Sequence, residues 1–483
     1  MAITSQCMKK YAIIFIFALL FALYSCLVQH KGNQALYNLQ HSSSLPNEDS
    51  LNILDPIFPE GGNAEAGYQY LLYGNGFSSG LPYGLYKKFR WAKKTDLSLL
   101  TGENRFVVND FIVFKNNNGK LTATPGCLNC HSQLFNGKRV VGLGNSYSNF
   151  QTDKTKSLKL AENAIKLLYG KNSDEWKNAE QIFKSGYVLA PMITTEMQGP
   201  VSALKISEVM ASHRDPQTLK FRADTTYFFV PSEVFPEDVA PLWGFKKKKA
   251  SFINALGQGD LAKLLMCGTT ITLKDTAEAR EIYSNMKNVW AFIKTLEPPQ
   301  YPNPINKELA DKGKILFLQN CSSCHGTYDE NEFYPNQLIA ASIIGTDSLM
   351  WKYYLKYPGY PEWFNKSWFA ASSSPAYKKP QKGYVAPPLD GVWCTAPYFH
   401  NGSVPDLDAV LNSNKRPRYW KRSFSKEKYN YKNPGWKYKV LPKPGNKKTY
   451  NTDIPGYGNY GHYFGDHLSD QERKAVIEYL KTL

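Results

Sequence analysis

"TPGCLNCHSQLF" at residues 124–135 sets two cysteines and a histidine inside five positions, and "QNCSSCHGTY" at 319–328 repeats the arrangement. Cys-x-x-Cys-His is the attachment signature of c-type haem. Two intervening residues put both thiols on one face of a helical turn, where each can add to a porphyrin vinyl group. The adjacent histidine then lies under the iron as its proximal ligand. Cys127, Cys130 and His131 form the first set, and Cys321, Cys324 and His325 the second. Zinc also takes a Cys-x-x-Cys knuckle. The two pairs stand far apart in sequence, however, and each is followed at once by histidine. The reading is two covalent haems.

Outward from the motifs, the two halves of the chain end alike. "VWAFIKTL" (289–296) matches "VIEYLKTL" (476–483) at four positions of eight, so each half is a motif, a long excursion and a similar closing helix. Asp275–Leu296 reads as a helix with Asp275 as its cap and Ile282, Met286, Val289 and Ile293 along one face. "EPPQYPNP" (297–304) stops it and marks the domain boundary. The next helix, "KELADKGKILFLQNCSSCH", draws its apolar positions from Ile315, Leu316 and Leu318. At the C-terminus, Ser469 and Glu472 form a capping box ahead of a buried stripe of Val476, Tyr479, Leu480 and Leu483. Thr155–Leu168 reads as a further helix and Asn104–Lys115 as a strand.

Lys9 and Lys10 precede an apolar run from Tyr11 to Tyr24, too short for an ordinary membrane span and suited to a secretory signal in residues 1–25. "LYSC" resembles a bacterial lipobox with Cys26 as lipid acceptor, and Tyr24 departs from the small residue usual there. The expected product is exported, periplasmic or anchored to the outer membrane by that lipid. Residues 26–60 are polar and aperiodic and read as a tether. Cys267 and Cys394 are the cysteines left over, an even remainder in an oxidising compartment, which predicts a disulfide between them. Its alternative is two buried thiols acting as small hydrophobes.

The formal net charge is +17, and it is uneven: residues 411–450 hold 13 Lys/Arg against one acid, Glu427. Lys246–Lys249 form a second run. Export argues against nucleic acid as the partner. A solvated basic face stays open, as does docking to an acidic redox partner or an anionic membrane surface.

Whether each iron keeps an open sixth position decides between oxygen chemistry and plain electron transfer. His30 and His41 fall in the tether, leaving His213, His400, His462 and His467 with several methionines. "GVWCTAPYFHNGSVP" (391–405) resembles a signature of bacterial dihaem cytochrome c peroxidases, methylamine-utilisation dihaem enzymes and dihaem rubber oxygenases. "GCLNCHSQLFNGKRVVGLGNS", "WGFKKKKASFINALGQGD", "TLEPPQYPNPI" and "GNYGHYFGDHLSDQE" are similar to the rubber-oxygenase branch, and together these stretches span most of residues 65–483.

That resemblance implies a mainly α-helical fold of two cytochrome c-like domains with long loops and minor β. The haem domains fall at 61–298 and 299–483. His131 and His325 match proximal ligands, and His462 matches the distal ligand of the second haem. The first haem would keep an apolar open side, where Phe252 best matches a distal phenylalanine; an ordinary core aromatic is its alternative. The carbonyls of Thr395 and Pro397 match positions that hold a bridging calcium in the peroxidases, which this branch need not retain. The implied activity is a dihaem redox enzyme using O₂ or peroxide on an organic substrate. The rival is a non-catalytic dihaem electron carrier with both irons six-coordinate. Cys394 and the basic insert depart from the family pattern, and so does the short chain.

Overall fold

The computed structural model describes residues 55–88, 102–106, 111–116, 118–330, 332–425 and 427–483. The expected signal, the lipid acceptor Cys26 and the tether up to residue 54 lie outside the described residues. Within them the chain is mainly helical, and its strands are short, in antiparallel sheets of two or three. No helix among the described residues is long and apolar enough to cross a membrane.

Two helix pairs carry the frame: α1 (Ala64–Tyr73) packs on α2 (Thr276–Thr295), and α3 (Lys307–Asn320) packs on α4 (Asp470–Leu480). Asp275 caps α2 by accepting from the Ala277 and Glu278 amides, and Ile282, Met286, Val289 and Ile293 are buried as their spacing predicts. Ser469 and Glu472 form the expected capping box on α4. Within the stretch read as strand at 104–115, Phe111–Lys115 is one and Asn104 sits in a 3₁₀ turn, with its side chain bonded to both the amide and the carbonyl of Val113; residues 107–110 lie outside the described residues.

Helix α3 turns two of its three expected apolar positions outward, while Leu316 packs at the edge of a core. Ile315 and Leu318 are 58% and 38% exposed, while Ala310, Gly313 and Phe317 are buried. The cause is the crossing with α4. A Cβ on Gly313 would stand 1.9 Å from the Ala475 carbonyl oxygen, so only glycine fits between these backbones. The α1–α2 crossing is built alike, for a Cβ on Gly67 would stand 2.0 Å from the Asn288 carbonyl oxygen. Asn288 and Ala475 each precede the valine that opens the shared eight-residue echo. The echo is therefore a repeated helix contact.

The two main apolar cores do not divide at residue 298. Trp290, Met286 and Leu204 share the larger core with Tyr354, Tyr360 and Phe364 from the second half. Phe135, Leu143 and Trp243 lie in the other core, with Trp393, Trp436 and Val476. This separation also overturns the expected disulfide. Cys267 and Cys394 are both free and buried, one in each core, with Sγ facing the Lys263 carbonyl at 3.6 Å and the Gly391 carbonyl at 3.1 Å. Each behaves as a small hydrophobe.

The basic stretch is folded. Tyr419–Arg422 is the centre strand between Tyr438–Val440 and Tyr450–Asn451. Glu427, its lone acid, accepts the Asn136 amide at 2.8 and 2.9 Å and so ties the insert to the strand pair that follows His131.

Candidate haem-binding sites

Helix α3 runs straight into the second motif. The Cys321 amide donates to Phe317, and the His325 amide closes one turn onto Cys321 at 2.9 Å. Cys321 and Cys324 are free and half-buried. His325 Nδ1 lies 2.8 Å from the Pro387 carbonyl. A carbonyl only accepts, so Nδ1 must carry the proton, which leaves the Nε2 lone pair free for a metal. Across from it stands His462, with ring centroids 6.2 Å apart. Two metal–nitrogen bonds of about 2 Å each, plus two ring half-widths, make up that separation. Burial, then the nearby His325 and Arg416, lower the His462 pKa to about 3, so both rings are neutral donors. The residues fit a haem with two axial imidazoles.

His462 is held from behind. Its φ is +49°, and its amide donates to Ile344 at 2.8 Å. The glycines before it serve backbone approach to protein. A Cβ on Gly461 would stand 2.3 Å from Gly345, and the Gly456 and Gly458 amides donate to Asp347 at 3.0 and 3.1 Å. Arg416 completes the clamp by donating to the carbonyls of Ala409, Val410, Asn459, Gly461 and His462. Arg416 lies in a stretch rich in cations, and nothing in such a run marks the one that turns inward. Arg416→Met removes all five donations and leaves partly buried carbonyls unmet, at about 1–3 kcal/mol for each that water cannot reach. The variant should lose about 3 kcal/mol or more of stability and weaken the low-spin signal of the second site, checked by denaturant titration followed in the visible spectrum.

The first motif is also one helical turn, with the His131 amide on Cys127 at 3.1 Å. Asn145 pins it through its amide to Cys130 and its side chain to Asn129, both at 2.8 Å. Cys127 packs on the larger core. His131 Nδ1 is buried with no hydrogen-bond partner, and burial lowers its pKa to about 4. The residues present fit a haem here too, with one axial imidazole. Every other described histidine is committed elsewhere: His213 to the Arg222 carbonyl, His400 stacked on Tyr384, and His467 on Asn320. Phe252 lies in a loop closed by Ser251 and Gly257 and packs on the same core as Cys127. Its φ of +64°, with +53° at Ala255, marks a loop held in a costly conformation.

Trp243 lies between the two sites. Its ring would touch a Cβ on Gly142 at 3.4 Å and one on Gly391 at 3.2 Å. Gly142 donates to the His131 carbonyl, and Gly391 lies four residues past Pro387. Arg422 reaches from the basic insert to the Ser146 carbonyl, with its guanidinium 4.4 Å from the Trp436 ring centre. Among the described residues no group of three or more His, Cys, Asp or Glu is placed to hold a metal ion. Pro397 and Arg422 line the same small cavity.

A family described as RoxA-like, cytochrome c-like matches residues 383–421. That segment carries Pro387 and Arg416, the groups that hold the two facing imidazoles. Two proteins of Sinorhizobium fredii are similar over shorter stretches. "Uncharacterized protein y4iJ" is 40% identical over 110 residues, 21% of this chain and 18% of the relative. "Uncharacterized protein y4iM" is 27% identical over 156 residues, 27% of this chain and 34% of the relative. The chain thus spans less than half the length of either. The family match supports the rubber-oxygenase-like branch of c-type cytochromes, and a cytochrome c-like domain implies covalently bound haem c.

Proposed function

We propose that the chain is an exported dihaem c-type cytochrome that acts as a redox enzyme of the O₂- or peroxide-dependent dioxygenase or peroxidase type. Cys127, Cys130 and His131 would hold the first haem, and Cys321, Cys324, His325 and His462 would hold the second. The haems, when bound, supply one-electron and oxygen chemistry. The residues divide the labour. His325 and His462 close the second site for electron transfer, while the first keeps a side for a small ligand, walled by Phe252 and its core neighbours. Trp243, packed against Gly142 beside the first motif and Gly391 beyond Pro387, is the side chain placed between the two. The observation that carries this reading is the asymmetry between His325, which faces an imidazole at 6.2 Å, and His131, which faces none among the described residues. Each half, 61–298 and 299–483, contributes one motif and one glycine-mediated helix crossing. The exposed lysines suit an acidic redox partner, and Cys26 a lipid anchor; the organic substrate enters at the first site.

The ferric absorption spectrum tests it. One high-spin and one low-spin component, with one equivalent of cyanide bound per chain, are expected. An all-low-spin spectrum indifferent to cyanide and CO would make the protein an electron carrier. Haem number is tested separately: the double variant Cys127→Ala, Cys130→Ala should keep one covalent haem per chain by pyridine haemochrome, against two in the unaltered protein. Two haems surviving that change would remove the first site.

A further inference from the structure

Lysine is almost never fully buried unless it is paired. Lys205 and Lys263 obey this rule: Lys205 Nζ meets Glu208 and Tyr353, and Lys263 Nζ meets the Phe369 carbonyl and Ser372. Lys378 does not. It is 0% exposed, and its Nζ has no hydrogen-bond partner. Its backbone is fixed: the amide donates to Asn365 Oδ1 at 2.8 Å, Asn365 Nδ2 donates to its carbonyl at 2.9 Å, and its strand pairs with Gly257–Gly259. The side chain therefore enters the core by construction. Its Nζ lies 4.4 Å from the ring centre of Phe252, 5.1 Å from Phe364 and 5.8 Å from Tyr360. Burial lowers the amine's pKa from its ordinary value, with Cys267 and Glu237 pulling the other way.

An unmet buried donor is costly, about 1–3 kcal/mol, and calls for an acceptor that the polypeptide does not provide. The nearest ring, Phe252, belongs to the core that also packs Cys127, and it is presented by a loop with two non-glycine residues at positive φ. We propose that Lys378 is the polar group of the first haem's open side, where its Nζ donates a hydrogen bond to a small ligand such as dioxygen, peroxide or cyanide. This rests on the function proposed above. Among the rings of Phe252, Phe364 and Tyr360 it supplies one directional contact for the electron-rich end of such a ligand.

The holoprotein with cyanide and CO as probes tests it. Lys378→Met keeps the length of the side chain and removes the donor. Cyanide affinity at the first site should fall about tenfold, the worth of one hydrogen bond. The stretching frequency of bound CO should rise, and Lys378→Gln, which keeps a donor, should recover most of the affinity. In the unaltered protein the CO stretch should shift between H₂O and D₂O, a readout that needs no variant and stands even if Lys378→Met misfolds. Affinity and stretch unchanged in a fully haem-loaded Lys378→Met protein, or no isotope shift in the unaltered one, overturn the proposal alone. A first site that turns from low-spin to high-spin in Lys378→Met makes the amine an iron ligand and overturns the donor role. An unaltered protein that takes neither probe overturns the function reading and this proposal together.

Discussion

Replacing His462 by glycine should open the second site: one low-spin component becomes high-spin, and CO uptake rises from one equivalent per chain to two. Glycine is the right choice because residue 462 sits at φ +49°, where glycine is free of steric strain and a Cβ is not. The Ile344 bond and the Arg416 clamp engage the backbone of residue 462, so the loop keeps its path without the ring. Free imidazole should refill the space and restore the low-spin signal, which separates a lost ligand from a lost fold. Electron delivery to the first site should slow in the variant and recover with imidazole. His467 is the rival by position, five residues on, but its Nε2 is 3.1 Å from Asn320 Oδ1. If the His462→Gly spectrum were unchanged and a His467 variant lost its low-spin component, the ligand would be His467. If neither changed, the division of labour between the sites would lose its support.

What could be read from the sequence was whatever is written in local chemistry. Asp275, and Ser469 with Glu472, satisfy amides two or three residues away, so their roles are visible without a fold. His462 was marked by its family motif, and the structure brings it opposite His325. The helix Asp174–Leu189 escaped notice, although Ser173 caps it and Ala179 and Phe183 lie one turn apart on its buried side. Composition does not give location. Ile315 and Leu318 signalled a buried face by hydrophobicity, but the crossing selects for smallness, and Gly313 takes the interface. An even cysteine remainder suggested a disulfide, yet the two thiols belong to different cores. Arg416, Arg422 and Lys378 are inward cations in stretches full of outward ones, and only tertiary packing tells them apart. The helix caps and the two Cys-x-x-Cys-His turns were local; the inward cations packed behind and beside them were not.

Gly313→Ala should be strongly destabilising, and the sign is a contest between two known effects. Alanine is the better helix former by about 0.5–1 kcal/mol, so an exposed Gly→Ala change inside a helix stabilises. Here the new methyl would stand 1.9 Å from the Ala475 carbonyl oxygen and 3.0 Å from the Tyr479 Cβ. A helix carbonyl has no rotamer to escape into, so α3 and α4 must separate, at a cost of about 3 kcal/mol for overpacking. The contact wins. Gly67→Ala should behave alike against Asn288, whereas Gly268→Ala, where a Cβ meets nothing within 4 Å, is the neutral control. Thermal unfolding of the holoprotein, followed at the bands of each site, reads the outcome. Because α3 leads directly into Cys321, the second site should feel Gly313→Ala first. Because Phe135, Leu143 and Trp243 are buried in the core that α4 covers, the first site should be lost in the same transition. A midpoint unmoved by Gly313→Ala would mean that the two backbones do not touch at Ala475. A midpoint lowered at the second site alone would mean that the shared cores do not couple the halves, and that each haem domain unfolds independently.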